Sequence, residues 1–287
     1  MKTLPIQSRQ TIQRLGFGAL TLLALLTIAP IVAIVGYIVV KGAPAISWQF
    51  ITAFPREGMK AGGIWPAIVG TVYLTLGTAI FSVPLGLGAA IYLSEYAPNN
   101  RWTRLIRLSI VNLAGIPSVV YGLFGVGLFV LFLNFGISIL AGSLTLAIMT
   151  LPVIISTAEE ALRAVPQSFR VVSISLGGTK WQTIRRIILP QALPGILTGI
   201  ILGLERAAGE TAPILFTAAS FFLPSLPGSP LDATMALPYH LFVISTQVPG
   251  MPVRFQFGTA LVLLVFVLGM NMVATVIRSR ARAKRHW

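Results

Sequence analysis

The stretch from Ser173 to Pro190 reads SISLGGTKWQTIRRIILP, and the arrangement of the whole chain follows from it. Pro166 is placed to open a short helix ahead of it, because the first helical position tolerates a missing N–H. Gly177 is placed to end that helix in the left-handed conformation. Thr179, with Gln182 three residues later, has the spacing of a capping box for a second helix. The stretch therefore predicts two helices that meet at a glycine corner, although an ordinary solvated loop has a similar composition.

The composition of the chain is that of a protein embedded in a membrane. Of its 287 residues, 55% are hydrophobic and 10% are charged, and the mean hydropathy is +0.87, whereas about a quarter of the residues of a soluble protein are charged. The alternating pattern of a membrane barrel is missing. The expected fold class is therefore an all-α, polytopic membrane protein. The chain has no cysteine, which excludes disulfides and thiolate metal sites.

Six apolar runs, each long enough to cross the hydrocarbon core as a helix, divide the chain. Their approximate bounds are 16–40, 65–94, 108–133, 139–157, 187–219 and 256–277, and we refer to them as spans one to six. Small residues let membrane helices approach closely. Span two is therefore expected to pack tightly against its neighbours through Gly70, Gly77, Gly86 and Gly88.

Basic residues are concentrated on one side of this arrangement. Sixteen of the 21 lysines and arginines lie in the segments 1–15, 98–107, 158–186 and 278–287. The excess of lysine and arginine in cytoplasmic segments predicts that both termini are cytoplasmic. The net charge of +14 is then an orientation signal near anionic lipid, and it requires no nucleic-acid partner.

Three ionisable residues interrupt span five, within the sequence GLERAAGETAP from Gly203 to Pro213. Each costs roughly 2.5–3.5 kcal/mol at the centre of a bilayer on insertion scales, so each must pair or face water. Arg206 and Glu210 are four residues apart and are expected to meet on one face of a helix. Glu205 points elsewhere and needs a different partner.

Two interpretations of these charges remain open. In the first, the ion pair has only a structural role and locks the packing of the helices. In the second, Arg206 helps an anionic substrate to cross, because a planar guanidinium donates two hydrogen bonds at once to a phosphate-like oxyanion. Glu210 would hold or release this guanidinium, and Glu205 and Thr211 complete the expected substrate pathway.

The glycine corner also carries a family pattern. Nine residues separate Gly177 from Ile187, and Leu189-Pro190 follows; this spacing resembles the EAA loop of bacterial ABC-importer permeases of the MetI-like family. Val171 stands where that family usually has Glu. The resemblance implies a loop that docks on a cytoplasmic ATPase, with the residues Ser173, Gly177, Gly178, Lys180, Ile187, Leu189 and Pro190.

Four phrases are similar to those of the phosphate-transport permeases, the PstA family. They are RAAGETAPILFTA (Arg206 to Ala218), LAGIPSVVYGLFG (Leu113 to Gly125), EEALRAVPQSFR (Glu159 to Arg170) and LGGTKWQTIRRIILPQALPGI (Leu176 to Ile196). The resemblance divides the chain into an N-terminal segment with span one and an outer loop (1–62), a permease domain (63–278) and a basic cytoplasmic tail (279–287). It implies a multi-pass protein of the bacterial inner membrane.

The same resemblance implies the subunit of an ATP-driven phosphate importer that forms half of the translocation pathway. Its expected partners are a PstC-like sister permease, two copies of a PstB-like ATPase, a periplasmic PstS-like phosphate-binding protein and the lipid bilayer. No enzymatic activity and no cofactor are expected, because the chain lacks the phosphate-binding loop Gly-x-x-x-x-Gly-Lys-Ser/Thr and the partner binds the ATP. Movement is expected to reach spans four and five through the docking loop.

Other functions fit parts of the pattern. A permease of the same architecture could carry sulfate, molybdate or phosphonate. An ion-coupled secondary transporter would have inverted repeats with broken helices, and a passive anion channel would use Arg206 in a selectivity ring. No metal site is expected, since His240 and His286 are isolated and best explained by structural roles.

Overall fold

The computed structural model describes residues 6–223 and 225–283. The ends of the expected N-terminal segment and basic tail, with Lys2 and His286, lie outside these residues. The described helices are α1 Ile6–Gly42, α2 Trp48–Thr52, α3 Trp65–Ile91, α4 Arg101–Ala114, α5 Ser118–Gly125, α6 Ile139–Arg163, α7 Gln167–Ser175, α8 Lys180–Thr183, α9 Leu189–Gly209, α10 Ala212–Thr217, α11 Leu237–Thr246 and α12 Val253–Ala283.

Short irregular elements complete the fold. Three π-helical turns continue α3, α5 and α8, at Tyr92–Tyr96, Val126–Phe132 and Ile184–Ile188. After α1 comes a single 3-10 turn, and a small antiparallel hairpin then pairs β1 (Pro55–Arg56) with β2 (Ala61–Gly62).

Five helical segments are long and apolar enough to cross a membrane: Gln13–Ala45, Trp65–Tyr96, Ile139–Arg163, Lys180–Gly209 and Val253–Arg280. The bent pair Arg101–Ala114 and Ser118–Phe132 makes a sixth crossing if it counts as one span. The expected all-α, polytopic membrane fold is confirmed. Several helices run past the apolar runs of the sequence, since a helix continues into its polar ends outside the hydrocarbon.

Span three is broken, which corrects the expectation of one continuous helix over 108–133. Its two helices, α4 and α5, meet at 101°. The break contains Pro117, which directly precedes α5. A proline disfavours helical backbone in the residue before it, here Ile116, and it has no N–H to donate to the preceding turn.

Span five is also broken, and its helix α9 ends at Gly209 instead of continuing to residue 219. Glu210 has an extended backbone (φ −76°, ψ 137°), and the chain returns to helix as α10 at Ala212. Pro213 lies in the first turn of α10. Since its nitrogen carries no hydrogen, it fits the start of a helix and would interrupt the interior of one.

Small residues bring α3, α6 and α9 into a tight central bundle. A side chain on Gly77 of α3 would collide with Ser143 of α6, and one on Gly199 of α9 would collide with Thr157 of α6. Gly70 and Gly86 are closely packed as expected, whereas Gly88 has open space around it. The expected close packing of span two is thus confirmed at three of its four glycines.

Helix α1 lies at the periphery. It packs along α12, where the rings of Tyr37 and Phe257 meet edge to face with centroids 5.3 Å apart. None of the apolar window of α1 is buried by the rest of the described chain. Most of the apolar surface of α1 is therefore left uncovered by the rest of the described chain.

The two ends of the bundle differ in charge. We call the end that carries residues 97–101, α7 and α8 the basic end. The opposite end carries the β-hairpin and α11, where the Thr71 hydroxyl of α3 accepts a hydrogen bond from the backbone N–H of Leu237 (N–O 2.8 Å).

Candidate functional site

The break in span five lies inside the bundle, between the middle of α6 and its N-terminal end. Gly203, one turn before Arg206, packs against Ile154, close to the middle of α6. Beyond the break, a side chain on Gly122 of α5 would meet the backbone of α10 at Ala212 and Pro213. Irregular backbone at this depth of a membrane is tolerated where it is buried in protein or lines a water-filled cavity.

Arg206 and Glu210 meet at this break, as their spacing predicted. The Nε atom of Arg206 lies 3.4 Å from the Oε1 atom of Glu210. The Arg206 side chain is 36% exposed and the Glu210 side chain is 19% exposed. Among the described residues no other hydrogen bond from this guanidinium is formed. Arg206 is therefore held loosely and can still donate to an incoming oxyanion.

Tyr121 of α5 is a further member of this site that the sequence did not single out. Its hydroxyl donates to the carbonyl oxygen of Leu113 (2.7 Å), and the next residue, Gly122, packs against the start of α10 at Ala212 and Pro213. The Tyr121 side chain is buried. Because Leu113 lies in the last turn of α4, this bond ties the two halves of broken span three together.

Glu205 and Thr211 have different surroundings. Glu205 accepts a hydrogen bond through Oε2 from Asn271 of α12 (3.2 Å), so α12 supplies the separate partner that the sequence required. Its Oε1 atom is buried and has no hydrogen-bond partner among the described residues. Thr211 is half-buried at the break, where its carbonyl oxygen accepts from Leu215 in the first turn of α10. The structure thus groups Arg206, Glu210 and Thr211, and it places Glu205 against α12.

The glycine corner has the geometry that its sequence predicts. Gly177 adopts φ +82°, the left-handed region that favours glycine. The Thr179 hydroxyl accepts from the Gln182 N–H (3.2 Å), and the Gln182 side chain accepts from the Thr179 N–H (2.9 Å), which completes the capping box. One detail differs: Pro166 directly precedes α7 and is not its first residue.

Ser173 and Gly178 make the corner rigid. The Ser173 hydroxyl is buried and lies 2.8 Å from the hydroxyl of Thr183 in α8. The carbonyl oxygen of Ser173 accepts from the Gly178 N–H (3.0 Å). A side chain at Gly178 would come within 2.9 Å of that carbonyl oxygen. The two helices are thus joined by hydrogen bonds on both sides of Gly177.

The remaining residues predicted for the docking loop lead into span five. Lys180 begins α8 and is exposed. Ile187 packs, half-buried, in the apolar cluster that joins α6 and α9. Leu189 and Pro190 form the first turn of α9, where a proline needs no hydrogen-bond partner.

Large apolar side chains cover the outside of the corner. Their exposed fractions range from 54% to 83%, and they are Val171, Val172, Ile174, Leu176 and Trp181. Beside them, residues of α7 and α8 line an open groove of about 410 Å³. Exposed apolar surface at the end of a bundle is typical of an interface with a partner protein.

The histidine that the structure describes has no role at either site. His240 of α11 is buried at the opposite end of the bundle. Burial lowers its pKa to about 4, since a charged imidazolium is disfavoured away from water. Within residues 6–223 and 225–283, no group of three or more histidine, aspartate or glutamate residues is arranged to hold a metal ion.

The comparisons with known proteins agree with this fold. The family model of the binding-protein-dependent transport system inner membrane component matches residues 82–283. A bacterial ABC transporter that imports the acidic polysaccharide alginate aligns with a TM-score of 0.63, at 16% identity, over 94% of this chain and 99% of that chain. The chain belongs to the family of binding-protein-dependent transport system inner membrane components and is a membrane permease subunit of an ABC importer.

Two relatives that this chain resembles within this family are named as phosphate permeases. The phosphate transport system permease protein PstA 1 of Mycobacterium tuberculosis (strain ATCC 25618 / H37Rv) is 38% identical over 226 residues, which cover 78% of this chain and 72% of the relative. The probable phosphate transport system permease protein PstA of Methanocaldococcus jannaschii is 36% identical over 251 residues, which cover 88% of this chain and 87% of the relative.

Proposed function

We propose that this chain is the permease subunit of an ATP-driven importer of inorganic phosphate. The observation that carries the proposal is Arg206, a partly exposed cation that lies inside the bundle, one turn beyond Gly203 and one turn before a helix break. A cation at this depth is costly unless it meets a counter-ion or water, and here its carboxylate partner is loosely held. Two relatives that align with most of the chain are named as phosphate permeases, which supports phosphate as the anion.

In this proposal the pathway is formed by Arg206, Glu210 and Thr211 at the break, with Tyr121 beside them. The guanidinium offers a transient site to a phosphate oxyanion by charge-assisted hydrogen bonds, while Glu210 competes for the same cation. Glu205 serves the pathway indirectly, because its bond to Asn271 holds α9 against α12.

The partners follow from the same proposal. A PstC-like sister permease supplies the other half of the pathway, and a periplasmic PstS-like protein delivers phosphate. Two copies of a PstB-like ATPase bind and hydrolyse ATP at the basic end, which lies in the cytoplasm with both termini. The exposed apolar residues of the corner, Leu176 at 83% exposure above all, form the surface on which one ATPase docks.

Reconstitution tests the function directly. The chain is co-purified with its sister permease and ATPase, placed in liposomes with the binding protein, and assayed for phosphate uptake and ATP hydrolysis. We expect uptake that requires ATP and is not displaced by sulfate, molybdate or phosphonate. Conductance without the binding protein would identify a passive anion channel. Uptake without ATP would identify an ion-coupled secondary transporter, a class in which broken helices also occur.

Replacing Glu210 with Gln should lower phosphate uptake about fivefold, because Arg206 loses the carboxylate that positions it. A partly exposed ion pair of this kind contributes up to about 1 kcal/mol. The amide keeps the size of the side chain and still accepts a hydrogen bond, but it no longer neutralises Arg206. Uptake is measured in the reconstituted complex beside Glu57→Gln, a control in the exposed hairpin. Uptake equal to that of the control would show that Glu210 does not position Arg206.

A further inference from the structure

The turn that ends span two contacts residues of three other helices, α4, α7 and α8. This π-helical turn, Tyr92–Tyr96, continues α3 at the basic end. Arg107 of α4 donates through Nη2 to the carbonyl oxygen of Leu93 (2.7 Å). The ammonium of Lys180, at the start of α8, lies 4.7 Å from the centre of the Tyr96 ring, a distance at which a cation is attracted to an aromatic face.

The third contact joins this turn to the first helix of the glycine corner. Arg170 of α7 donates to both oxygens of Glu95, through Nη2 (2.7 Å) and through Nε (3.2 Å). The same guanidinium donates to the carbonyl oxygens of Val165 (2.7 Å) and Leu162 (2.9 Å), at the end of α6. A two-pronged pair of this kind fixes direction as well as distance.

Both members of the pair are withdrawn from solvent. The Glu95 side chain is 7% exposed and the Arg170 side chain is 14% exposed. Breaking such a pair leaves a buried charge without its partner, which is strongly unfavourable. A displacement of α7 therefore carries the end of α3 with it, together with the end of α6.

We propose that Glu95 and Arg170 are positioning residues that transmit movement of the glycine corner into span two. The inference rests on the proposed function, because the corner is driven only if an ATPase docks on it. Since α3 packs tightly against α6 through Gly77 and Ser143, and α6 packs on α9, movement of span two reaches the helix that carries Arg206. Span two is thus a third mechanical element beside spans four and five.

The test compares uptake with ATP hydrolysis in the reconstituted complex. Glu95→Gln keeps the size of the side chain and removes its charge. We expect phosphate transported per ATP hydrolysed to fall about tenfold, within the 5- to 150-fold range of coupling between sites, while the complex still assembles and hydrolyses ATP. Adding Glu95→Gln to Arg170→Gln should cause no further loss, because the two residues act through one interaction.

Two further comparisons separate transmission from simple stabilisation. Glu160→Gln is the matched control, since Glu160 is an exposed carboxylate at the same end of α6, and it should leave the ratio unchanged. Tyr96→Leu removes the exposed contact with Lys180 and should lower the ratio about twofold relative to Tyr96→Phe, which keeps the ring. This second pair of variants tests the turn without disturbing its buried carboxylate.

The outcomes are distinct. A ratio that stays at the wild-type value in Glu95→Gln, or uptake and hydrolysis that fall in parallel as in a destabilised protein, would overturn the inference. If the proposed function is wrong, the complex without substitutions will show it: phosphate will not be taken up, or the rate of ATP hydrolysis will not respond to phosphate. Failure of the inference shows only as the missing difference between Glu95→Gln and Glu160→Gln.

Discussion

Arg206→Gln should abolish phosphate uptake, a loss of about a hundredfold, while the protein still inserts in the membrane and assembles with its partners. Hydrogen bonds from a charged donor contribute about 1.5–3 kcal/mol each, and in this part of the bundle the guanidinium is loosely bound to Glu210 at 3.4 Å. The glutamine keeps a polar group at the break and removes the charge that an anion requires.

Two companion variants define what Arg206 contributes. Arg206→Lys keeps the charge but loses the planar fork that binds an oxyanion with two hydrogen bonds, so we expect partial uptake. Arg104→Gln removes an exposed arginine at the basic end and should transport normally. Uptake is followed with radiolabelled phosphate in liposomes, and normal uptake by Arg206→Gln would remove this residue from the pathway.

Gly177→Val should separate ATP hydrolysis from transport. The backbone of Gly177 has φ +82°, and a left-handed conformation costs an L-residue roughly 1–2 kcal/mol, more for a β-branched one. Nothing lies within 4 Å of the position that its Cβ would occupy, so the strain is conformational and not steric. We expect the corner to relieve this strain by a rotation of α7 relative to α8, which would misalign the ATPase-docking surface proposed above.

Gly177→Asn provides the matched comparison, because asparagine enters the left-handed region several-fold more readily than valine. We expect Gly177→Val to lower phosphate transported per ATP by at least about tenfold, a typical size for coupling between sites, and Gly177→Asn to stay near the wild type. Both quantities are measured on the same liposomes. Equal coupling in the valine variant and the wild type would refute a docking role for the corner.

The features that the sequence predicts correctly are local. The capping box, the left-handed glycine and the Arg206–Glu210 pair each depend on residues within four positions of one another, so their spacing determines their geometry. The membrane helices follow from apolar runs in the same way. Such signals predict the geometry of the glycine corner and of the pair in span five, whereas the roles of these residues in docking and transport stay predictions.

What the sequence did not predict depends on distant residues or on backbone breaks. Glu95 and Arg170 are 75 positions apart, and no periodicity links a carboxylate at the end of span two to an arginine beyond span four. Asn271 and Glu205 are 66 positions apart, so no local spacing pairs them, although a lone amide in an apolar helix is itself a signal of a polar partner. The breaks fall at Pro117 and Pro213, because a proline interrupts a helix even where apolar composition alone predicts a continuous span.

The loose contact between Arg206 and Glu210 has a consequence for the separate roles of the membrane subunit and the binding protein in the proposed import. In the proposed function, Glu210 lies four residues from Arg206 and competes with a passing anion for this cation, which shortens the time for which the anion is bound. Short dwell times suit a gate that must empty on every cycle. The proposed function therefore assigns tight, selective capture of phosphate to the periplasmic binding protein, and it assigns to the membrane subunit the lowering of the barrier to crossing.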